Sequence, residues 1–305
     1  MSSWLSEAVR VRVPATSANL GPGFDSLGLA LGLYDTLAAM VSEDQGVLIE
    51  VEGEGLGEVA LDSSHLVARA MALGFAAMDS RPAGFVLRCT NLIPHGRGLG
   101  SSAAAIIGGL VLARGLHAEG DSLLSDQDLL QLALELEPHP DNLAAALYGG
   151  FTTAWMEDEF AHVVRQEAHP SIRTVVAIPD FRVPTAEARS ALHATVSRKD
   201  ASFNISRSAL LVHAITRDPR LLLEATADRL HQEARRSMYP SSMELIDGLR
   251  ERGIAAVISG AGPTVLVLGM TDQLDEVSAL SGTNWRVEAL RVATHGAHVD
   301  PAHSI

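Results

Sequence analysis

The amino-acid sequence predicts an α+β fold in two domains, and three observations carry that prediction. The chain has 305 residues, room for two domains of about 100–200 residues each. Its second half reads as a block of helices followed by a block of strands, a segregated order that suits an α+β unit. Two glycine-rich turns punctuate the pattern, one from Ile93 to Ala105 running without a break into a helix, the other from Ser259 to Thr264 after an apolar strand. The polar segment Glu157 to Ser171 is the expected boundary, giving units 1–168 and 169–305.

Composition narrows the function classes. With 47% hydrophobic and 20% charged residues the chain reads as globular, with a substantial core. A formal net charge of -14 argues against nucleic acid as a partner, because phosphodiester affinity rests on clustered Lys and Arg. The single cysteine, Cys89, lies in the apolar run Gly84 to Thr90 and reads as a packed strand residue; it suits a reducing cytoplasm. The N-terminal Met-Ser-Ser-Trp-Leu-Ser-Glu has no basic stretch before an apolar core, so no secretory signal is expected. No apolar run reaches the roughly 18 residues of a membrane span, and Ala103 to Leu116 reads as a buried helix.

Val9 to Val13 alternates strictly, the period of a half-buried strand, and Pro14 is expected to stop it, leaving Ala15 to Asp25 as a loop rich in turn formers. Thr36 to Val41 and Val47 to Glu52 read as strands around a polar turn. Serines introduce a helix from Leu66 to Met78, with His65 beside them as an exposed cap or a weak ligand contact. Gly84 to Thr90 is a strand delivering the chain to the first glycine-rich turn. Ser125-Asp126-Gln127-Asp128 forms a capping box before an apolar helical face, which ends where Pro138 and Pro140 forbid regular helix. Leu143 to Tyr148 begins the next helix, and Phe151 to Trp155 and Arg173 to Pro179 are strands. Helices are expected at Arg207 to Ile215, Pro219 to Arg235 and Ser241 to Arg252, then strands at Ala255 to Ser259, Val265 to Leu268 and Trp285 to Val292.

The turn at Ile93 to Ala105 is the chemical centre of this pattern. Gly96, Gly98 and Gly100 allow positive φ and close approach to a ligand. Ser101 and Ser102 open a helix whose first amides lack internal partners and suit a di- or triphosphate. No lysine stands nearby for a Walker loop, and Gly96-Arg97-Gly98-Leu99-Gly100 is one residue short of a dinucleotide fingerprint. Glu135-Leu136-Glu137-Pro138-His139-Pro140-Asp141-Asn142 supplies carboxylates beside a rigid loop, a setting for magnesium, which binds through one or two carboxylates plus substrate phosphates.

Taken whole, Pro94-x-x-x-x-Leu99-Gly100-Ser101-Ser102-Ala103 resembles the phosphate loop of the GHMP kinase superfamily. Within that superfamily the chain resembles the homoserine kinase family. Pro14-Ala15-Thr16-Ser17-Ala18-Asn19-Leu20-Gly21-Pro22-Gly23-Phe24-Asp25 is similar to its first motif, and His139-Pro140-Asp141-Asn142 to its second, with Pro138 in place of a glycine. Ser259 to Thr264 is similar to its third motif, and Thr185-x-x-x-Arg189 and His231-Gln232-x-x-Arg235 match its two arginine segments.

The resemblance implies an N-terminal domain of the ribosomal protein S5 domain 2 type, a ferredoxin-like C-terminal domain and the site between them. It implies phosphorylation of L-homoserine by ATP with Mg²⁺ in threonine biosynthesis. ATP would meet Pro94, Gly96, Arg97, Gly98, Leu99, Gly100, Ser101, Ser102, Ala103, Ala104 and His65; homoserine would meet Asn19, Asp25, His139, Arg189, Arg235 and Gly262. Glu137, in preference to Glu135, and Ser102 would hold the metal, with Asn142, Asp141 and Ser102 at the reacting centre. The other enzyme reading is a GHMP kinase for mevalonate or a sugar, and the non-enzyme reading is an ATP-bound sensor; a homodimer is an open option for assembly.

Overall fold

The computed structural model describes residues 3–300. Met1 and Ser2, at the head of the stretch read as carrying no secretory signal, and the last five residues of the expected second unit lie outside them. In chain order the first part comprises β1 (Val9–Ala18), β2 (Leu27–Ser42), β3 (Gly46–Gly53), α1 (Leu66–Ala77), β4 (Gly84–Asn91), α2 (Ser101–Leu116), α3 (Gly120–Leu123), α4 (Asp126–Leu134), α5 (Pro140–Tyr148), β5 (Phe151–Glu157) and β6 (Phe160–Gln166). It continues with β7 (Arg173–Pro179), α6 (Thr185–Ser190), α7 (Arg198–Thr216), α8 (Leu222–Ala225), α9 (Pro240–Glu251), β8 (Ala255–Ile258), β9 (Val265–Gly269), α10 (Leu274–Ser281), β10 (Trp285–Leu290) and β11 (His298–Val299).

Two sheets organise these elements. The first runs β11-β1-β2-β4-β3, with the β5–β6 hairpin attached to β2. Its pairs are antiparallel except β3–β4, where α1 supplies the crossover that a parallel pair needs. Helix α2 lies against β1 and β2 and touches α1, α4 and α5. It is apolar nearly all round, which is why it occupies the middle of the helical layer.

The second sheet has the order β10-β7-β9-β8, all antiparallel, the fourth-first-third-second order of a ferredoxin-like unit. Strands β7, β8 and β9 read as largely apolar runs because both faces are covered, whereas the edge strand β10 is half exposed. Val176, Leu266, Leu268 and Val257 join the core shared with the first sheet, while Val175, Val265, Val267 and Ala256 join a separate core under α9 and α10. The period-2 alternation of a strand divides neighbouring residues between these two cores. The expected α+β architecture, with a ferredoxin-like second sheet, is therefore the fold observed.

Several local expectations are corrected. Pro14 does not stop β1; the register to β2 shifts between Pro14 and Ala15, and this irregularity accommodates the proline so that pairing continues to Ala18. β2 starts at Leu27, nine residues before the expected Thr36. Pro140 begins a helix at its first position, where a missing N–H costs nothing, and so places Asp141 and Asn142 in the first turn of α5. The expected helix Pro219–Arg235 is broken, because the Asp228 carboxylate accepts the amides of Leu230, His231 and Gln232 in place of helix carbonyls. α7 begins at Arg198, nine residues before the expected start, while α6, α10, β6 and β11 were not anticipated. No helix among the described residues is long and apolar enough to cross a membrane.

The capping box at Ser125 is present, its hydroxyl accepting from the Asp128 amide and the Asp128 carboxylate accepting from the Ser125 amide. Ser125→Ala should lower the unfolding free energy by about 1 kcal/mol, measured by urea denaturation. An unchanged midpoint would mean that α4, which leads into the Glu137–Asn142 segment, is held by packing alone.

Candidate active site

The phosphate-type loop between β4 and α2 is fixed from both sides. On the side of the first sheet, the Thr16 amide donates to the Leu99 carbonyl at 3.0 Å. On the other, the Thr264 amide donates to the Arg97 carbonyl at 3.2 Å, and the Ser259 hydroxyl donates to the Gly98 carbonyl at 2.6 Å. Gly98 has φ +79°, and a Cβ there would run into the Ser259 carbonyl oxygen and sit 2.9 Å from that of Gly262. Gly100, at φ +70°, caps α2, and a Cβ on it would strike the Thr16 hydroxyl. Glycine is thus required at both points by backbone angle and by space.

Ala104 makes the first bond of the helix, to the Gly100 carbonyl at 2.9 Å, so the amides of Ser101, Ser102 and Ala103 precede it. Two cavities meet at this helix start. An apolar one of about 360 Å³ is walled by Leu37, Val59, Leu66, Val67 and Ala105, with Asp35, His65, Asn91 and His95 among its polar residues. A polar one of about 220 Å³ is lined by the loop glycines, Asn19, Glu137, His139, Asp141, Asn142, Thr185, Arg189 and Arg235. Ser101 and Ser102 line both.

Most of the site residues expected from sequence therefore converge, but not all. Pro94, Leu99 and Ala104 are buried and line neither cavity. Arg97 does not face the polar cavity; its guanidinium donates to the carbonyls of Pro179, His95 and Asp180 and clips the loop to the end of β7. Gly262 lies behind the loop against Gly98 and Tyr239, while Gly260 and Ala261 line the cavity instead. His65 is not an exposed cap but a buried wall residue, 6% exposed. Asp35, Asn91, His95 and Thr16 were missed; an acidic residue inside the apolar run Leu31–Val41 was the available signal for Asp35.

The polar cavity has a defined electrostatic layout. Arg189 pairs with Asp25 at 2.9 Å. Arg235 is buried; its Nε donates to the Ala188 carbonyl at 2.8 Å and its Nη1 lies 3.1 Å from His231 Nδ1. His231 Nε2 in turn meets the Gly21 carbonyl at 2.8 Å. No carboxylate lies within ion-pair distance of Arg235 among the described residues, which leaves a buried cation suited to an incoming anion. Asn19 is committed to the scaffold, donating to the Gly260 carbonyl and accepting from the Asp25 amide. Glu137 uses Oε1 toward His139 Nδ1, at 2.6 Å. Glu135, by contrast, is exposed and outside the cavity.

The Asn142 Oδ1 accepts from the Thr16 hydroxyl at 2.7 Å and its Nδ2 donates to Asp141 Oδ1 at a long 3.4 Å, which leaves one side-chain N–H of this cavity-lining residue without a partner among the described residues. Asp141 is buried, and desolvation pushes its carboxyl up to about 6 against an ordinary value of 3.8. The folded state therefore holds that proton between about pH 4 and pH 6, and stability from this group is lost as pH rises through that window. Asp141→Asn should gain on the order of 2 kcal/mol over the parent at pH 7.5 and almost nothing at pH 4, measured by denaturation at both. An equal gain at both pH values would show that the carboxylate carries no buried-charge penalty.

The family of GHMP kinases N terminal domains matches residues 65–150, and that of GHMP kinases C terminal matches residues 209–280. A homoserine kinase of Streptomyces coelicolor is 52% identical over 294 residues, covering 96% of this chain and 95% of its own. One of Clavibacter michiganensis is 51% identical over 261 residues, 86% of this chain and 82% of its own. Among solved structures, a homoserine kinase from Cytophaga hutchinsonii superposes with a TM-score of 0.85 at 25% identity, covering 98% of this chain and 99% of that one. A mevalonate kinase at 14% identity and TM-score 0.67, covering 94% of this chain and 99% of that one, shares the fold. The chain belongs to the homoserine kinase family of the GHMP kinases.

Proposed function

We propose that this cleft transfers the γ-phosphoryl group of ATP to the side-chain hydroxyl of L-homoserine, giving O-phospho-L-homoserine for threonine biosynthesis. One observation carries the assignment of parts: an apolar cavity and a polar cavity share a helix N-terminus, and the polar one ends at a buried arginine with no carboxylate partner among the described residues. The base of ATP occupies the apolar cavity. Its phosphates lie over Gly96, Gly98, Gly100 and the free amides of Ser101, Ser102 and Ala103, where the helix dipole favours negative charge. Arg235 and Arg189 receive the carboxylate of homoserine, Arg189 exchanging part of its pairing with Asp25. His139 and Asp25 complete the acceptor end, and a neutral sugar would leave the buried Arg235 without an anion.

The donor set fits magnesium. Glu137 Oε2 has no hydrogen-bond partner among the described residues, and the Ser102 hydroxyl lines the same cavity. When bound, Mg²⁺ supplies neutralisation of the phosphate charge that develops during transfer. Asn142 donates an amide N–H to the acceptor hydroxyl and aligns it; an amide cannot take the proton at neutral pH. A loose phosphoryl transition state requires little prior deprotonation, so Asp141 is not an obligatory base in this account. Phosphoryl transfer then rests on positioning and on preorganised donors. The division into 1–168 and 169–305 remains our proposed domain organisation; the described C-terminal strand β11 returns to pair with β1. A cytoplasmic setting accords with the buried, unpaired Cys89.

Purified protein with Mg-ATP and homoserine should form O-phosphohomoserine, read by phosphorus NMR; formation no faster than a blank would defeat the assignment. Arg235→Ala should raise the homoserine KM by about 30-fold, the loss of one charge-assisted contact, with the ATP KM within about threefold. A parallel rise in both would make Arg235 a phosphate or scaffold contact. Glu137→Gln should raise the Mg²⁺ concentration for half-maximal rate by roughly tenfold or more, and Glu135→Gln should leave it unchanged. The reverse ranking would move the metal to Glu135.

A further inference from the structure

The apolar cavity contains two buried polar side chains whose hydrogen-bonding capacity the fold leaves unused. Asp35 on β2 is 4% exposed, and its Oδ1 accepts the amides of both Leu92 and Ile93, at 2.7 and 2.9 Å. Its Oδ2 has no partner among the described residues. His65, 6% exposed at the start of α1, has a buried Nδ1 without a partner. Both line the cavity that is otherwise walled by Leu37, Val59, Leu66 and Val67. The stranded His65 Nδ1 costs about 1–3 kcal/mol, a cost that a ligand can relieve, while Asp35 Oδ2 is an open acceptor on the cavity wall.

We propose that Asp35 is a specificity-determining residue for the phosphoryl donor, its Oδ2 accepting the exocyclic 6-amino group of adenine and rejecting purines that carry a 6-oxo group. The proposal rests on the assignment of this cavity to the base of ATP. An ionised carboxylate only accepts, so it matches a 6-amino donor and repels the 6-oxo acceptor of guanine or hypoxanthine. Burial pushes the Asp35 carboxyl up to about 6, which leaves it ionised at pH 7.5. His65 is held below its ordinary value by burial and so is neutral there, with one ring nitrogen an acceptor. Glu54, His95 and Cys89 are the other titratable groups near this pair. A site built on a buried hydrogen bond discriminates strongly, because the wrong base leaves that group unmet.

Asp35→Asn isolates the feature. The amide oxygen still accepts from Leu92 and Ile93, while an NH₂ donor replaces the open oxygen. With homoserine as acceptor at pH 7.5, the ratio of kcat/KM for ATP to that for GTP should fall at least about 30-fold, with ATP KM rising about tenfold and homoserine KM within about twofold. An unchanged ratio in a variant that melts near the parent temperature would overturn the proposal. The unmodified protein gives a second reading independent of folding. Purine riboside triphosphate, which lacks the 6-amino group, and inosine triphosphate should each show a KM at least about tenfold above ATP. Use of both as readily as ATP would also overturn it. Absence of any ATP-dependent phosphorylation of homoserine by that protein would instead defeat the kinase assignment.

Discussion

The site depends on one constraint, the clamping of a glycine-rich loop between the end of β1 and the Ser259–Thr264 turn. Thr16 holds Leu99 from the first sheet, while Ser259 and Thr264 hold Gly98 and Arg97 from the turn between β8 and β9. With the backbone held at both ends, the first amides of α2 are set in place by the protein's own hydrogen bonds. Preorganisation of this kind is what allows donors to act on a transferring phosphoryl group without being reorganised during the reaction. The polar cavity beside the loop draws on both parts of the chain: Asn142 enters from α5, Arg189 from α6 and Arg235 from the segment after α8.

Charge is handled locally. A chain with net charge -14 repels polyanions at a distance. In the proposed reading, backbone amides at a helix start supply the binding field for phosphate, and the buried Arg235 with the half-buried Arg189 supplies it for a carboxylate. Arg235 is kept in place by neutral partners, the Ala188 carbonyl and His231, so its charge stays available. Asp25 occupies Arg189 in the meantime, a pairing at partial exposure that an incoming carboxylate can displace at small cost.

Where a residue's role is set by its own neighbourhood in the chain, the sequence was readable. The loop into α2, the capping box at Ser125 and the apolar strands β4, β7, β8 and β9 follow from local pattern. Where distant segments decide, it was not. Pro14 sits within a strand because β2 pairs around it, and Pro140 opens a helix where the proline pair Pro138 and Pro140 reads as a break. The break near Asp228 needs the side-chain geometry of a carboxylate that no periodicity reports. In the site, motif resemblance brought the right segments together but not the direction each side chain takes. Arg97 sits in the phosphate loop and turns away to bind three carbonyls, whereas Asp35 belongs to no motif and enters the apolar cavity through the pairing of β2 with β4.

The central claim is that the clamped loop creates the phosphate site. Gly98→Ala tests it most directly, since a methyl group there must displace the Ser259–Gly262 turn and a positive φ must be held by an L-residue. The measurement is calorimetric binding of the non-hydrolysable analogue AMPPCP with Mg²⁺, beside homoserine turnover and a thermal melt. The account predicts a folded variant whose nucleotide affinity and kcat/KM both fall by about 100-fold or more. A folded variant that binds and turns over like the parent would contradict it.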